Sequence, residues 1–276
     1  MTSDEKARVA RFLDLLADLI GSGYRGPERE YRFEGEARPG EAACPAAGSE
    51  TPGAAPPRPA RPAGGETGGA EDGGLESTAA GIRACRACSL CETRVKAVPG
   101  EGAERPLVLV IGEGPGAEED AAGRPFIGRA GQLLDKMLAS IGLSRESNCF
   151  IANVVKCRPP GNRDPLPEEI AACAPFLERQ IRLLRPKIIL CAGKVAAQAL
   201  LETGRPVGEL RGVLHSVSRP APIPLVVTYH PSALLRNEAY KRPAWEDLKM
   251  LRAKLSEAAP GEAGPAAPEA PARGET

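Results

Sequence analysis

Two short segments concentrate the residues able to do chemistry in this 276-residue chain. One is the glycine-rich turn Gly112-Glu113-Gly114-Pro115-Gly116; the other is His230-Pro231-Ser232, which holds one of only two histidines. Between and before them stand four cysteines, Cys85-x-x-Cys88, Cys157 and Cys173. Thiols drawn from three separate places suit a metal centre that staples a domain, and suit a set of disulfides poorly. Zinc and an iron–sulfur cluster both take four thiolates. Zinc usually takes two tight knuckles, and here the second pair is split by fifteen residues, which favours a [4Fe–4S] cluster. Cys91 is a further thiol in the first group and a possible substitute ligand. Cys44 lies apart from these, while Cys149 and Cys191 fall inside apolar runs and read as small core residues.

The elements that must position these groups follow from hydrophobic periodicity. Runs at 107–111, 149–152, 187–191 and 225–229 read as short buried strands. They alternate with amphipathic helices carrying the 133–141 stripe and spanning 167–184, 194–201 and 240–255. Apolar strands alternating with such helices predict an α/β fold, a three-layer α/β/α sandwich around a central four-stranded parallel sheet. In such sheets ligands sit beyond the carboxyl ends of the strands. Glu113, Asn153, Gly193 and His230 each follow one of the four, so they are expected around one crevice. No internal repeat is visible.

Composition sets the boundaries. Residues 1–24 contain an amphipathic helix with Val9, Phe12, Leu13, Leu16, Leu19 and Ile20 at helical spacing; it either docks on the main block or binds a protein partner. Residues 25–78, rich in Ala, Gly, Pro, Glu and Arg, lack the apolar surface to offset ordering entropy and read as a disordered linker, as does the tail 259–276. Residues 79–258 form the foldable block. The chain's net charge is zero, yet this block carries 26 Lys+Arg against 19 Asp+Glu, and a basic block with acidic flanks fits a polyanion. No stretch is apolar enough for a membrane span, and Asp4, Glu5, Asp14 and Asp18 argue against a signal peptide. A cytoplasmic protein is expected, in a compartment where clustered thiols bind metal.

Four segments carry a specific resemblance. Gly112-Glu-Gly-Pro-Gly116, Gly123-Arg-Pro-Phe126-Ile-Gly128-Arg-Ala-Gly-Gln-Leu-Leu134, Asn153-Val-Val-Lys-Cys157-Arg-Pro-Pro-Gly-Asn162-Arg163 and His230-Pro-Ser-Ala-Leu234-Leu-Arg236 closely resemble the family 4 uracil-DNA glycosylases, iron–sulfur members of their superfamily. The resemblance covers about 83–255 and places the four cysteines at the family's cluster ligands. It implies a monomeric repair enzyme that hydrolyses the N-glycosidic bond of uracil in single- or double-stranded DNA. A related group that crosslinks to uracil-DNA uses an inserted basic loop with a histidine, and this chain has Cys157-Arg-Pro-Pro-Gly-Asn162 there instead.

Residue chemistry agrees with that implication. A glycosylase must extrude the base, stack it and read its Watson–Crick edge. Phe126, between Gly123 and Gly128, offers a stacking face. Asn153 offers an acceptor and a donor side by side, matching uracil N3–H and O4 and mismatching cytosine. His230, donating to O2, would stabilise negative charge as the glycosidic bond breaks. By resemblance Gly114 stands where better-known relatives carry a water-activating aspartate, leaving Glu113 or the turn backbone to position water. Glu119 is expected to wall off the C5 side and Asn162 to line the substrate site. Leu234 is expected as a wedge filling the gap in the duplex, with Arg236, Arg163, Lys156 and Arg158 on phosphates. Two other readings are an iron–sulfur redox protein and a nucleotide-binding module built on Gly112-x-Gly114-x-Gly116. The latter spacing lacks the final glycine of the dinucleotide fingerprint, and no acidic residue ends the second strand.

Overall fold

The computed structural model describes residues 74–260, residue 219 excepted; the expected helix within 1–24 and most of the expected linker and tail lie outside the described residues. Helix α1, Leu75–Ala84, and the short α2, Leu90–Thr93, precede the sheet. The folded block therefore begins at least four residues before the boundary expected at 79. Then follow β1 (Glu101–Gly102), β2 (Val108–Gly112), α3 (Ala117–Ala122), α4 (Arg129–Ala139), β3 (Cys149–Asn153), α5 (Pro167–Leu184), β4 (Ile188–Ala192) and α6 (Lys194–Leu201). The chain continues through α7 (Val207–Leu210), β5 (Leu214–Val217), β6 (Ile223–Thr228), α8 (Pro231–Arg236) and α9 (Lys241–Ala258).

The sheet has six strands in the order β1-β3-β2-β4-β6-β5. Its four central strands are parallel, and β1 and β5 add antiparallel edges. The expected four-stranded parallel sheet is thus the centre of a larger, mixed one. Every residue of β2, β3 and β4 is buried, and the two-residue period divides them cleanly between faces. Val108, Val110, Cys149, Ile151, Ile188 and Leu190 pack against α4, α8 and α9. Leu109, Ile111, Phe150, Ala152, Ile189 and Cys191 pack against α1, α5 and α6. Cys149 and Cys191 are core residues, as expected.

From β2 the chain steps to β3 on one side, then crosses to β4 on the other. This reversal opens a crevice at the carboxyl ends of β2 and β4, where ligands of doubly wound sheets bind.

Candidate active site

A cleft of about 810 Å³ opens at that crevice, and Glu113, Asn153, Gly193 and His230 all line it. Gly114, Glu119, Phe126, Asn162, Arg163 and Arg236 line it too. Residues more than a hundred positions apart in sequence share one cavity because each caps the end of a neighbouring strand.

His230 enters from the amino end of α8. Its Nδ1 accepts the backbone N–H of Ser232 at 3.2 Å and lies 2.8 Å from Ser232 Oγ. A backbone amide can only donate, so Nδ1 carries the lone pair and the proton sits on Nε2. Burial, then the charge of Arg236, press the ring's pKa down from 6.5 to about 4, with Glu119 opposing. His230 is half-buried and lines the cleft. The result is a neutral imidazole that donates from Nε2 across the physiological range. Gly193 makes this approach possible: its φ is +100°, and a Cβ there would lie 2.9 Å from His230 Cβ, so any other residue would be both strained and clashing.

Phe126 and Asn153 meet on the far side. Phe126 is buried and adopts a left-handed conformation, φ 51°, unusual for a bulky residue and retained only where neighbours impose it. Those neighbours are identifiable. Arg145 donates to the carbonyls of Pro125 and Phe126 at 2.9 and 2.8 Å, and its own orientation is fixed by Asp135. From the other side Glu119 accepts the N–H groups of Ile127 and Gly128, both at 3.0 Å, and that of Gly116 at 3.1 Å. The Phe126 ring lies 5.5 Å from the His230 ring, tilted by 31°. Asn153 closes β3 opposite Gly112, where an added Cβ would come within 2.5 Å of both Asn153 Oδ1 and the Phe126 ring. Asn153 is 1% exposed, and its Oδ1 has no hydrogen-bond partner among the described residues. A buried acceptor left open at a cavity wall awaits a donor.

Glu113 is half-buried on the cleft wall. Burial, then the charge of Asp164, raise its pKa above the ordinary carboxylate value, while Lys194 and Arg236 pull the other way.

The structure revises several expectations. Leu234 is completely buried in the α4–α9 core, because α8 turns that side chain inward, and it cannot serve as an exposed wedge. Lys156 is 1% exposed, not a surface phosphate contact; its Nζ donates to Asn153 O at 2.8 Å and Gln180 Oε1 at 2.6 Å. Glu119 lines the cleft, and its carboxylate also accepts from the loop amides and so frames Phe126. Arg163 is at the cleft edge with its guanidinium bidentate to the buried Glu169 at 2.7 and 2.9 Å. Asn162, in a left-handed turn, accepts from Arg158 Nε at 2.8 Å. Asp120 is buried and accepts the N–H groups of Val95 and Lys96. Arg236 is exposed at the rim of the cleft.

Behind β3, a second, small cavity is lined by Cys85, Cys88, Cys91, Cys157 and Cys173. All five are free thiols. Among the described residues no three metal-ligating side chains form a closed ligand group, so the sulfurs share a cavity without converging on a point. The surroundings nevertheless fit an anionic metal–thiolate centre. Arg94 Nη1 donates to Cys157 Sγ at 2.9 Å, the Lys156 N–H to Cys173 Sγ at 3.3 Å and the Ala87 N–H to Cys85 Sγ at 3.4 Å. Donors directed at sulfur stabilise thiolate; at Cys173 burial outweighs the opposing charge and N–H of Lys156, and the thiol is pushed up to about 11.

Residues 99–249 match the family described as the uracil DNA glycosylase superfamily. The type-4 uracil-DNA glycosylase of Pyrobaculum aerophilum is 46% identical over 62% of this chain and 89% of its own length. That of Archaeoglobus fulgidus is 41% identical over 62% of this chain and 87% of its own length. That of Thermotoga maritima is 40% identical over 64% and 92% respectively.

Proposed function

Because the chain belongs to the uracil-DNA glycosylase superfamily, and within it to the type-4 enzymes, we propose a chemical mechanism built on the cleft just described. The protein is a DNA-repair glycosylase that hydrolyses the N-glycosidic bond of deoxyuridine, releasing uracil and leaving an abasic site. The observation that carries the site reading is the union of Phe126, Asn153 and His230 around one cavity, with the Asn153 acceptor buried and open. A flat pyrimidine against Phe126 would present N3–H to Asn153 Oδ1 and O4 to Nδ2, and the packing around Asn153 resists the amide flip that would admit cytosine. His230 Nε2–H, aimed at O2, strengthens its hydrogen bond only as the bond to C1′ stretches and the base becomes an anion. Such preorganised donors typically contribute about 10²–10³ in rate. Glu113, with Gly114 beside it leaving room for solvent, positions the attacking water and tempers the cationic sugar. Arg236 at the rim, with Arg158 on the neighbouring loop, would hold phosphates irrespective of sequence.

The cysteine cavity is proposed to hold a [4Fe–4S] cluster on Cys85, Cys88, Cys157 and Cys173. Bound there, it would supply a structural crosslink between α1, the loop after β3 and α5, with no part in bond cleavage. A monomer suffices, since one chain furnishes every group of the cleft, and the cytoplasm is the proposed compartment. Among the described residues no helix is long and apolar enough to cross a membrane. A purely redox or nucleotide-binding role leaves Asn153 and His230 without a task.

The test is direct. The purified protein should be brown, contain iron and sulfide, and release free uracil from single- and double-stranded oligonucleotides without added metal or nucleotide. Retention of full activity by Asn153→Ala would overturn the account of base selection, and a colourless, iron-free active protein would overturn the cluster.

A further inference from the structure

We propose that Lys156 is the buried countercharge of the cluster and, through the same ammonium group, a positioning residue that holds the uracil-reading end of β3. This rests on the cluster reading above and goes beyond it by giving the cluster a means of acting on the cleft.

Three observations lead to it. First, Lys156 is among the most deeply buried side chains of the molecule, yet both acceptors of its Nζ, Asn153 O and Gln180 Oε1, are neutral. Buried cations are normally paired with anions, because an ammonium in a low-dielectric interior loses its hydration without return. Among the described residues no carboxylate is a hydrogen-bond partner of its ammonium. Second, Lys156 lines the same cavity as the five thiols, and its own N–H points at Cys173 Sγ. Four thiolates outweigh the charge of an iron–sulfide core, so cluster and ligands together are a net anion. That anion is the partner the lysine otherwise lacks. Arg94, whose Nη1 donates to Cys157 Sγ, is a second cation lining the same cavity. Third, the Lys156 ammonium is anchored on its far side. Gln180 Nε2 donates to Pro99 O at 2.6 Å, and α5, which carries Gln180, also carries Cys173. The chain Pro99–Gln180–Lys156–Asn153 therefore spans from the cluster helix to the backbone of the base-reading residue.

A consequence follows for the reaction. With the cluster in place the ammonium is electrostatically satisfied and can hold the Asn153 carbonyl. Without it, the lone cation is relieved most cheaply by moving toward solvent, which draws the Asn153–Lys156 segment away from the cleft. Loss of the cluster then impairs uracil recognition although no iron touches the substrate.

Lys156→Met, which keeps length and apolar stem while removing the charge, tests this in the full-length protein. Removing a cation beside the cluster disfavours the more negative, reduced state, so the midpoint potential should fall. Bleaching of the visible absorption by a chelator should speed at least tenfold, and KM for a uracil oligonucleotide should rise more than kcat falls. Lys156→Arg should restore the potential. If Lys156→Met fails to accumulate, Lys156→Gln, which keeps a donor for the Asn153 carbonyl, carries the same comparison. An unchanged potential and bleaching rate in a neutral variant would overturn the proposal while leaving the cluster standing. A wild-type protein without iron and sulfide would instead remove the cluster reading on which it rests.

Discussion

The pH behaviour of the cleft turns on two side chains displaced in opposite senses. Glu113 is proposed to position the attacking water as a carboxylate and its pKa is raised by burial, so its ionised fraction falls as pH drops through a value above the ordinary 4.5. The acid limb of kcat/KM should lie above that ordinary value and disappear in Glu113→Gln, with the residual rate low and flat. A Glu113→Gln enzyme with an unaltered limb would assign the titration elsewhere. His230, held near 4, stays neutral above pH 5 and contributes no limb to activity. It does contribute to stability. The unfolded chain binds a proton near 6.5 that the folded chain refuses until about 4, so this contribution is complete above 6.5 and is lost as pH falls between the two values. In His230→Gln the fall in unfolding free energy over that window should be shallower, and turnover should drop by about 10²–10³ through loss of the oxyanion donor. Of these residues, Glu113, Asn153 and His230 were legible in sequence because each ends an apolar strand run. The roles of Lys156, Glu119 and Leu234 were not, because only packing decides whether a Lys reaches solvent or a Leu stands proud.

At the scale of elements, the cleft depends on one irregular segment, Pro125–Gly128, clamped between α3 and α4. Glu119 from α3 and Arg145 from the loop after α4 bind its backbone from opposite sides. Gly131, one turn into α4, lies so close that an added Cβ would fall 1.9 Å from Phe126 O. Gly131→Ala must therefore displace the Phe126 loop, raising KM and lowering Tm together. Arg145→Met leaves two buried carbonyls without donors, a loss of about 1–3 kcal/mol for each unsatisfied group, measurable by denaturant titration; a variant as stable as the wild type would show that the loop is held by other means. The periodic elements were readable in advance. The spans 167–184 and 194–201 coincide with α5 and α6, since each carries a sustained apolar face. The edges were not readable. β1 has two residues, and β5 alternates exposed and half-buried positions with only Val217 buried, so neither forms an apolar run. α1 escaped notice because Leu75-Glu-Ser-Thr-Ala-Ala-Gly-Ile continues the Ala- and Gly-rich composition before it, with Thr78 and Ile82 as its only buried side chains.

The whole molecule has a charge asymmetry that bears on how it finds DNA. Residues 74–260 carry 26 Lys+Arg and 20 Asp+Glu, whereas the remaining 89 carry 10 and 16. The cleft, the cysteine cavity and both faces of the core lie within the basic portion, and the acidic excess lies wholly outside it. A phosphate backbone attracts the one and repels the other, and both effects are screened over about 10 Å at 0.1 M salt. A fragment spanning 74–260 contains every group proposed to act, so it should retain uracil excision. At low ionic strength it should bind non-specific duplex DNA several-fold more tightly than the full chain, the two affinities converging as salt rises. Titrations of both proteins on one undamaged oligonucleotide at several salt concentrations would measure this. Curves that coincide throughout would mean that the acidic flanks act on something other than DNA, whereas a full chain that bound more tightly by a constant factor at every salt concentration would point to a non-electrostatic contact of the flanking residues with the duplex.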